Sequence, residues 1–71
     1  MSYESLKAEI KRLKIMATNE TDPDARMNIY DSIAAYGEIA REDLLDMAEA
    51  EKNADAKRYC ISRVQEASKK K

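Results

Sequence analysis

The chain has 71 residues and a formal charge of −1, with one glycine, one proline, one cysteine and no histidine. A chain of this length forms a single domain, residues 1–71, with a thin core, and the scarcity of glycine and proline beside abundant helix formers predicts an all-α fold. Without histidine the commonest general base and metal ligand is missing, and one cysteine is too few for structural zinc, so we predict no enzyme, no cofactor and no metal site.

The first predicted element is a helix over about residues 3–18. Ser2 is a suitable N-cap, and Glu4 lies in the first turn, where the helix dipole favours a negative charge. Apolar residues recur at alternating steps of three and four, which places them on one side: Tyr3, Leu6, Ile10, Leu13 and Ala17. We expect this side to pack against another helix.

The second predicted element is one long central helix over about residues 23–52. It begins with Asp22 as N-cap and Pro23 at the first helical position. One side of it is apolar and contains Ile29, Ile33, Tyr36, Ala40, Leu44 and Met47. The opposite side, which we call the acidic ridge, has no lysine or arginine and contains Asp24, Asp31, Glu38, Glu42, Asp46 and Glu49.

Gly37 is the point at which this helix either continues or breaks. A glycine can end a helix in the left-handed conformation. Continuity is favoured because the apolar side keeps its phase across Gly37, and because Glu38 is a poor N-cap for a new helix. We therefore predict a continuous helix, with a compact three-helix bundle broken at Gly37 as the alternative.

A tight turn over residues 52–55, capped by Asn53 or Asp55, leads to a third helix over about residues 56–68. The central helix would be about 45 Å long, so each shorter helix can fold back onto one half of it. The predicted architecture is a three-helix or helical-hairpin bundle. In its open form the wide apolar side of the central helix needs a second chain, which predicts a homodimer.

Charge is distributed unevenly along the chain. Residues 1–19 carry a net charge of +2, residues 20–55 carry −8, and residues 56–71 carry +5. The simplest explanation is that the two end segments fold onto the middle one and that their flanking charges pair. Exposed ion pairs contribute only ~0–1 kcal/mol each, so they would bias the pairing of the helices more than the stability.

The acidic ridge is the most unusual feature, because like charges four residues apart each weaken a helix by a few tenths of a kcal/mol. It either keeps the protein soluble or docks on a basic surface of another protein. We prefer a non-catalytic protein–protein interaction module, a small regulator, adaptor or inhibitor. Ile15 and Ile39 fall outside the apolar sides and are further contact positions if the fold exposes them. The candidate partner-binding residues are Asp31, Glu38, Glu42, Asp46, Glu49, Ile15 and Ile39.

Two other functions stay open at this point. A nucleic-acid-associated factor could use the basic residues at both chain ends, which are Lys7, Lys11, Arg12, Lys14, Arg58, Arg63 and Lys69–Lys71. The acidic ridge would repel phosphate, however, and no nucleic-acid-binding motif is visible. A purely structural subunit of a larger assembly is the other alternative.

The cellular location is predicted from what the sequence lacks. Cys60 is alone, so no disulfide can form within the chain, which fits a reducing compartment. No apolar run approaches the ~18 residues of a membrane-spanning helix, and no signal-peptide pattern is visible. We therefore predict a cytoplasmic protein without a membrane partner.

Overall fold

The computed structural model describes residues 2–69, which form four α-helices. The helices are α1 (Tyr3–Asn19), α2 (Pro23–Ala34), α3 (Arg41–Ala50) and α4 (Ala54–Lys69), with a 3-10 turn at Gly37–Ala40 between α2 and α3. These residues include no β-strand, so the predicted all-α fold is confirmed. No helix among them is both long and apolar enough to cross a membrane.

Side-chain caps fix the beginnings of three helices. The Ser2 hydroxyl accepts a hydrogen bond from the backbone N–H three residues later, at 3.1 Å. A carboxylate oxygen of Asp22 does the same for the N–H two residues later, also at 3.1 Å. Of the two caps considered for the last helix, Asn53 is the one used, and it accepts from the third N–H after it at 2.9 Å. Each cap satisfies a backbone donor that has no partner within the helix.

The prediction of one continuous helix over residues 23–52 is wrong, because the chain bends at Gly37. The helix α2 ends at Ala34, and Gly37 has a φ of 79°, in the left-handed region that only glycine enters at little cost. Gly37 is also buried, so its lack of a side chain allows neighbouring groups to approach closely. The apolar residues keep their phase across the bend, which made the phase an unreliable sign of continuity.

The bend allows one chain to bury the apolar sides of both α2 and α3. The helix α4 packs against both of them, while α1 packs mainly on α2 and does not contact α4 within the described residues. The fully or almost fully buried apolar residues are Ile10, Ala17, Tyr30, Ile33, Ala34, Ala40, Leu44, Met47, Ala48, Ala56, Cys60, Val64 and Ala67. Because a single chain covers this core, the reason that the open architecture gives for a second chain no longer applies, and the homodimer stays a prediction.

Replacing Gly37 by alanine should destabilise the protein, because an L-residue in the left-handed region costs about 1–2 kcal/mol. Urea unfolding followed by far-UV circular dichroism measures the change in the free energy of unfolding. The chain is short enough for chemical synthesis, so D-alanine at position 37 is the matched control. It adds the same methyl group but adopts positive φ without strain, and should be the more stable of the two. An L-alanine variant as stable as the natural chain would mean that the helix runs on through this position.

Candidate functional site

The bend divides the acidic ridge between several helices. Asp31 lies on α2 and faces α4, where both of its carboxylate oxygens accept hydrogen bonds from the Tyr59 hydroxyl, at 2.8 and 2.7 Å. Arg63 lies 3.8 Å from the same carboxylate and stacks over the Tyr59 ring at 5.5 Å. Asp31 is therefore engaged within the fold, in a contact that joins α2 to α4.

Asp46 faces a different helix. Its carboxylate lies 3.3 Å from the ammonium group of Lys14 on α1, which is also 3.3 Å from Asp43. Lys7 lies two turns before Lys14 on the lysine-bearing side of α1 and pairs with Asp43 at 3.5 Å. These contacts support the expectation that the basic end segments fold onto the acidic middle of the chain.

Three members of the ridge form what we call the α3 acidic patch. They are Glu38 in the 3-10 turn and Glu42 and Glu49 on α3. All three are exposed, and none makes an ion pair with a side chain that the structure describes. Glu42, Asp46 and Glu49 are spaced at i, i+4 and i+7, which places them on one side of α3. The patch is the part of the predicted ridge on the 3-10 turn and α3 that the fold leaves free, while Asp24, in the first turn of α2, is a separate exposed acid without an ion pair among the described side chains.

The two apolar candidates are placed differently. Ile15 is 54% exposed on the outer side of α1, next to Met16, which is 44% exposed. Ile39 is half-buried and packs against the core from the 3-10 turn. Both residues are predicted contact positions only if the fold exposes them. Ile15 is exposed and Ile39 is not, so only Ile15 meets that condition.

A shallow groove of about 540 Å³ runs beside Ile15. We call it the lysine groove, and its lining residues are Lys7, Ala8, Lys11, Lys14, Ile15, Thr18 and Asp43. Lys11 is exposed and makes no ion pair with a described side chain, whereas the other two lysines reach the carboxylates of α3. The groove combines positive charge with a small apolar surface, and the sequence pattern identified only part of it.

The sequence pattern did not identify the most buried polar cluster, which joins Arg26, Tyr30 and Glu51. The Arg26 guanidinium donates to both carboxylate oxygens of Glu51, at 2.8 and 2.7 Å, and to the backbone carbonyl of Glu20 at 2.9 Å. The Tyr30 hydroxyl also donates to Glu51, and the backbone N–H of Asn53 donates to it at 3.0 Å. We call these residues the Glu51 cluster. It connects the C-terminal ends of α1 and α3, the body of α2 and the beginning of α4.

The environment of Glu51 favours its charged form. Its side chain is only 1% exposed, but the hydrogen bonds from Arg26, supported by those from Tyr30 and the Asn53 backbone, outweigh the cost of burial. They lower the pKa of Glu51 from 4.5 to about 2. Burial, with the hydrogen bond to this carboxylate, raises the pKa of Tyr30. The cluster is therefore a charged pair with a protonated tyrosine at neutral pH.

A cavity of about 310 Å³ lies beside the Glu51 cluster, where Lys14, Lys52 and Asp46 come close to Arg26 and Glu51. Its volume lies at the lower end of what small-molecule sites occupy. The hydrogen-bonding groups of Glu51 point to Arg26, Tyr30 and Asn53, so the deepest polar group of the cavity is already satisfied. We assign the cluster a structural role.

Cys60 lies in the core and not at the surface. Its thiol donates to the backbone carbonyl of Leu44 at 3.3 Å, and burial, with the Glu51 carboxylate as a smaller cause, raises its pKa to about 12. The thiol is therefore protonated at neutral pH, as expected of a small buried apolar residue. Among the described residues, no three cysteine, aspartate or glutamate side chains are grouped as a metal site requires.

No protein-family profile matches the chain, and neither curated proteins nor solved structures include a significant match. What the protein does is therefore inferred from the geometry and charge of its surfaces.

The Glu51 cluster predicts how stability depends on pH. The folded-state pKa of about 2 lies below the ordinary value of 4.5, so the stabilisation is fully present above about pH 5. It is lost as the pH falls from there towards 2, where Glu51 takes up a proton in the folded protein. Urea unfolding at a series of pH values measures this as a declining free energy of unfolding.

Glu51→Gln tests the assignment of that decline to one residue. We expect the variant to be about 2–3 kcal/mol less stable at pH 7, because hydrogen bonds to a charged partner are lost, and to decline less between pH 5 and 2. Glu49→Gln is the matched control, since Glu49 is exposed and two residues away. If the free energy of unfolding of both variants depends on pH as that of the natural chain does, the Glu51 cluster does not stabilise the fold.

Proposed function

We propose that the protein is a small non-catalytic interaction module, a regulator, adaptor or inhibitor, that docks on a basic surface of another protein. The observation that carries the proposal is the α3 acidic patch. Three carboxylates stand free on one exposed region, while other carboxylates of the middle segment are held by cations of α1, α2 and α4. Charge complementarity of this kind speeds encounter and selects partners more than it adds affinity.

The state of the basic residues supports this choice over nucleic-acid binding. Lys7 and Lys14 lie against carboxylates of α3, and Arg63 lies against Asp31. Arg12 and Arg58 each pair with an acid three residues earlier on their own helix. Phosphate would have to compete with these carboxylates, and the neighbouring acids would repel it. Lys70 and Lys71, which the nucleic-acid interpretation also used, lie outside the described residues.

Reversing the charge of the patch should abolish partner binding without unfolding the protein. The test variant is Glu42→Lys/Glu49→Lys, in which exposed side chains replace exposed side chains. The tagged protein is recovered from lysate of its source cell after nuclease treatment, at two salt concentrations. We expect the natural chain to retain a stoichiometric protein partner at low salt. The amount of partner recovered with the variant should be at least tenfold lower.

The matched control is Glu4→Lys/Asp24→Lys, which changes the net charge by the same amount at two other exposed acids. Both positions lie in the first turn of a helix, so the control should lose a few tenths of a kcal/mol of stability but keep the partner. Circular dichroism establishes that both variants are helical. Retention of the partner by the Glu42/Glu49 variant would contradict the proposal, and loss of every partner on nuclease treatment would favour nucleic acid instead.

A further inference from the structure

The lysine groove and the α3 acidic patch lie side by side on the same surface. Lys7 and Lys14 on α1 reach Asp43 and Asp46 on α3, which places the two helices next to each other along this surface. Glu42 and Glu49 lie four residues before and three residues after Asp46, so they flank it on the exposed side of α3. A positive strip therefore runs beside a negative one.

We propose that this surface binds a second copy of the chain, with the lysine groove of each copy receiving the α3 acidic patch of the other. The inference rests on the proposed function for the role of the patch, and it adds one further basic surface, on a second copy of the chain, that the same patch can dock on. A two-fold axis between the strips would place each positive strip opposite a negative one, so that both contacts form at once. Such an arrangement closes after two copies and does not extend into a filament.

The charges that no described side chain neutralises are the ones that this arrangement pairs. Among the side chains that the structure describes, Lys11 on the groove side and Glu42 and Glu49 on the patch side make no ion pair. Within one copy they are left over because Asp43 and Asp46 already occupy the lysines nearest to α3. Across a two-fold axis they become neighbours of opposite sign, and like-charge contacts are avoided.

The same surface also contains apolar residues, which supply a driving force for association that charge pairing alone does not. Ile15 lines the groove and is 54% exposed, on a chain whose aliphatic residues are few. On α3, Ala50 is exposed and lies one turn after Asp46, on the side that faces α1. Desolvating such residues drives association, while the surrounding charges set the orientation. A nucleic acid would use the lysines of the groove but would leave these apolar residues without a partner.

The size of the molecule sets the expected affinity. A stable interface buries about 800 Å² on each partner, and the two longer dimensions of the molecule are only 33 and 24 Å. The interface would use most of one side of a small protein and carries many charges. We therefore expect a dissociation constant of roughly 1–100 µM at low salt, weakened at least tenfold in 1 M NaCl.

A charge exchange between two variants tests the arrangement. One variant is Glu42→Lys/Glu49→Lys, and the other is Lys7→Glu/Lys11→Glu. In a homodimer of either variant, the groove and the patch that meet carry charges of the same sign. In the heterodimer that forms in their equimolar mixture, both contacts again join opposite charges. Analytical ultracentrifugation at low salt should show a dimer for the natural chain, monomers for each variant, and a dimer for the mixture. The Lys7 change also removes the exposed pair with Asp43, which costs only ~0–1 kcal/mol, and urea unfolding confirms that the variant is folded.

The outcomes separate this inference from the proposed function. A natural chain that stays monomeric up to about 1 mM overturns the inference, and so does a mixture that stays monomeric while the natural chain dimerises. If partner capture through Glu42 and Glu49 survives in that case, the proposed function stands without the dimer. If the natural chain and the variant mixture both form dimers, but capture of a partner from lysate does not depend on Glu42 and Glu49, the proposal that the patch docks on a different protein is wrong. Ile15→Glu provides a second check, because it should raise the dissociation constant at least tenfold without altering the charge of the lysines.

Discussion

The fold depends on one buried ion pair that joins residues far apart in sequence. Arg26 and Glu51 are separated by 25 positions, and Tyr30 adds a third partner to the same carboxylate. Through these contacts the ends of α1 and α3, the body of α2 and the beginning of α4 meet at one point. A chain of 71 residues buries a small core, so polar contacts between distant residues weigh more in its stability than they would in a larger domain. A buried charged pair is costly wherever its partners fail to meet, so it reinforces the bent arrangement that covering the apolar core already favours.

The closed bend also determines which charges remain available. With α2 and α3 folded around α4, the fold turns Asp31 towards α4 and Asp46 towards α1, and both carboxylates are used within the chain. The carboxylates of Glu42 and Glu49 and the ammonium group of Lys11 have no such neighbour among the described side chains. The proposed interaction surfaces are thus what remains after the fold has satisfied its own electrostatics. The proposed function rests on geometry that no single helix contains.

Local features of the sequence were good guides to local structure, and poor guides to how the helices meet. The caps at Ser2 and Asp22 were predictable because their side chains act on the next few backbone N–H groups. The pattern around Gly37 predicts a continuous helix wrongly, since the apolar side keeps its phase whether the helix is straight or broken. Tertiary packing determines that the chain bends here, because only the bent chain covers its own core. The Glu51 cluster was not predictable, since nothing near Arg26 or Glu51 in sequence marks them as partners.

The measurement that tests this account most directly is a double-mutant cycle on the ion pair. The free energy of unfolding is measured at pH 7 for the natural chain, Arg26→Met, Glu51→Met and the double variant. If the pair closes the bend, each single change leaves a buried charge without its partner, and the double change should be less harmful than their sum by about 2 kcal/mol. Effects that add to within ~0.5 kcal/mol would contradict the account, because the two residues would then contribute independently to the fold.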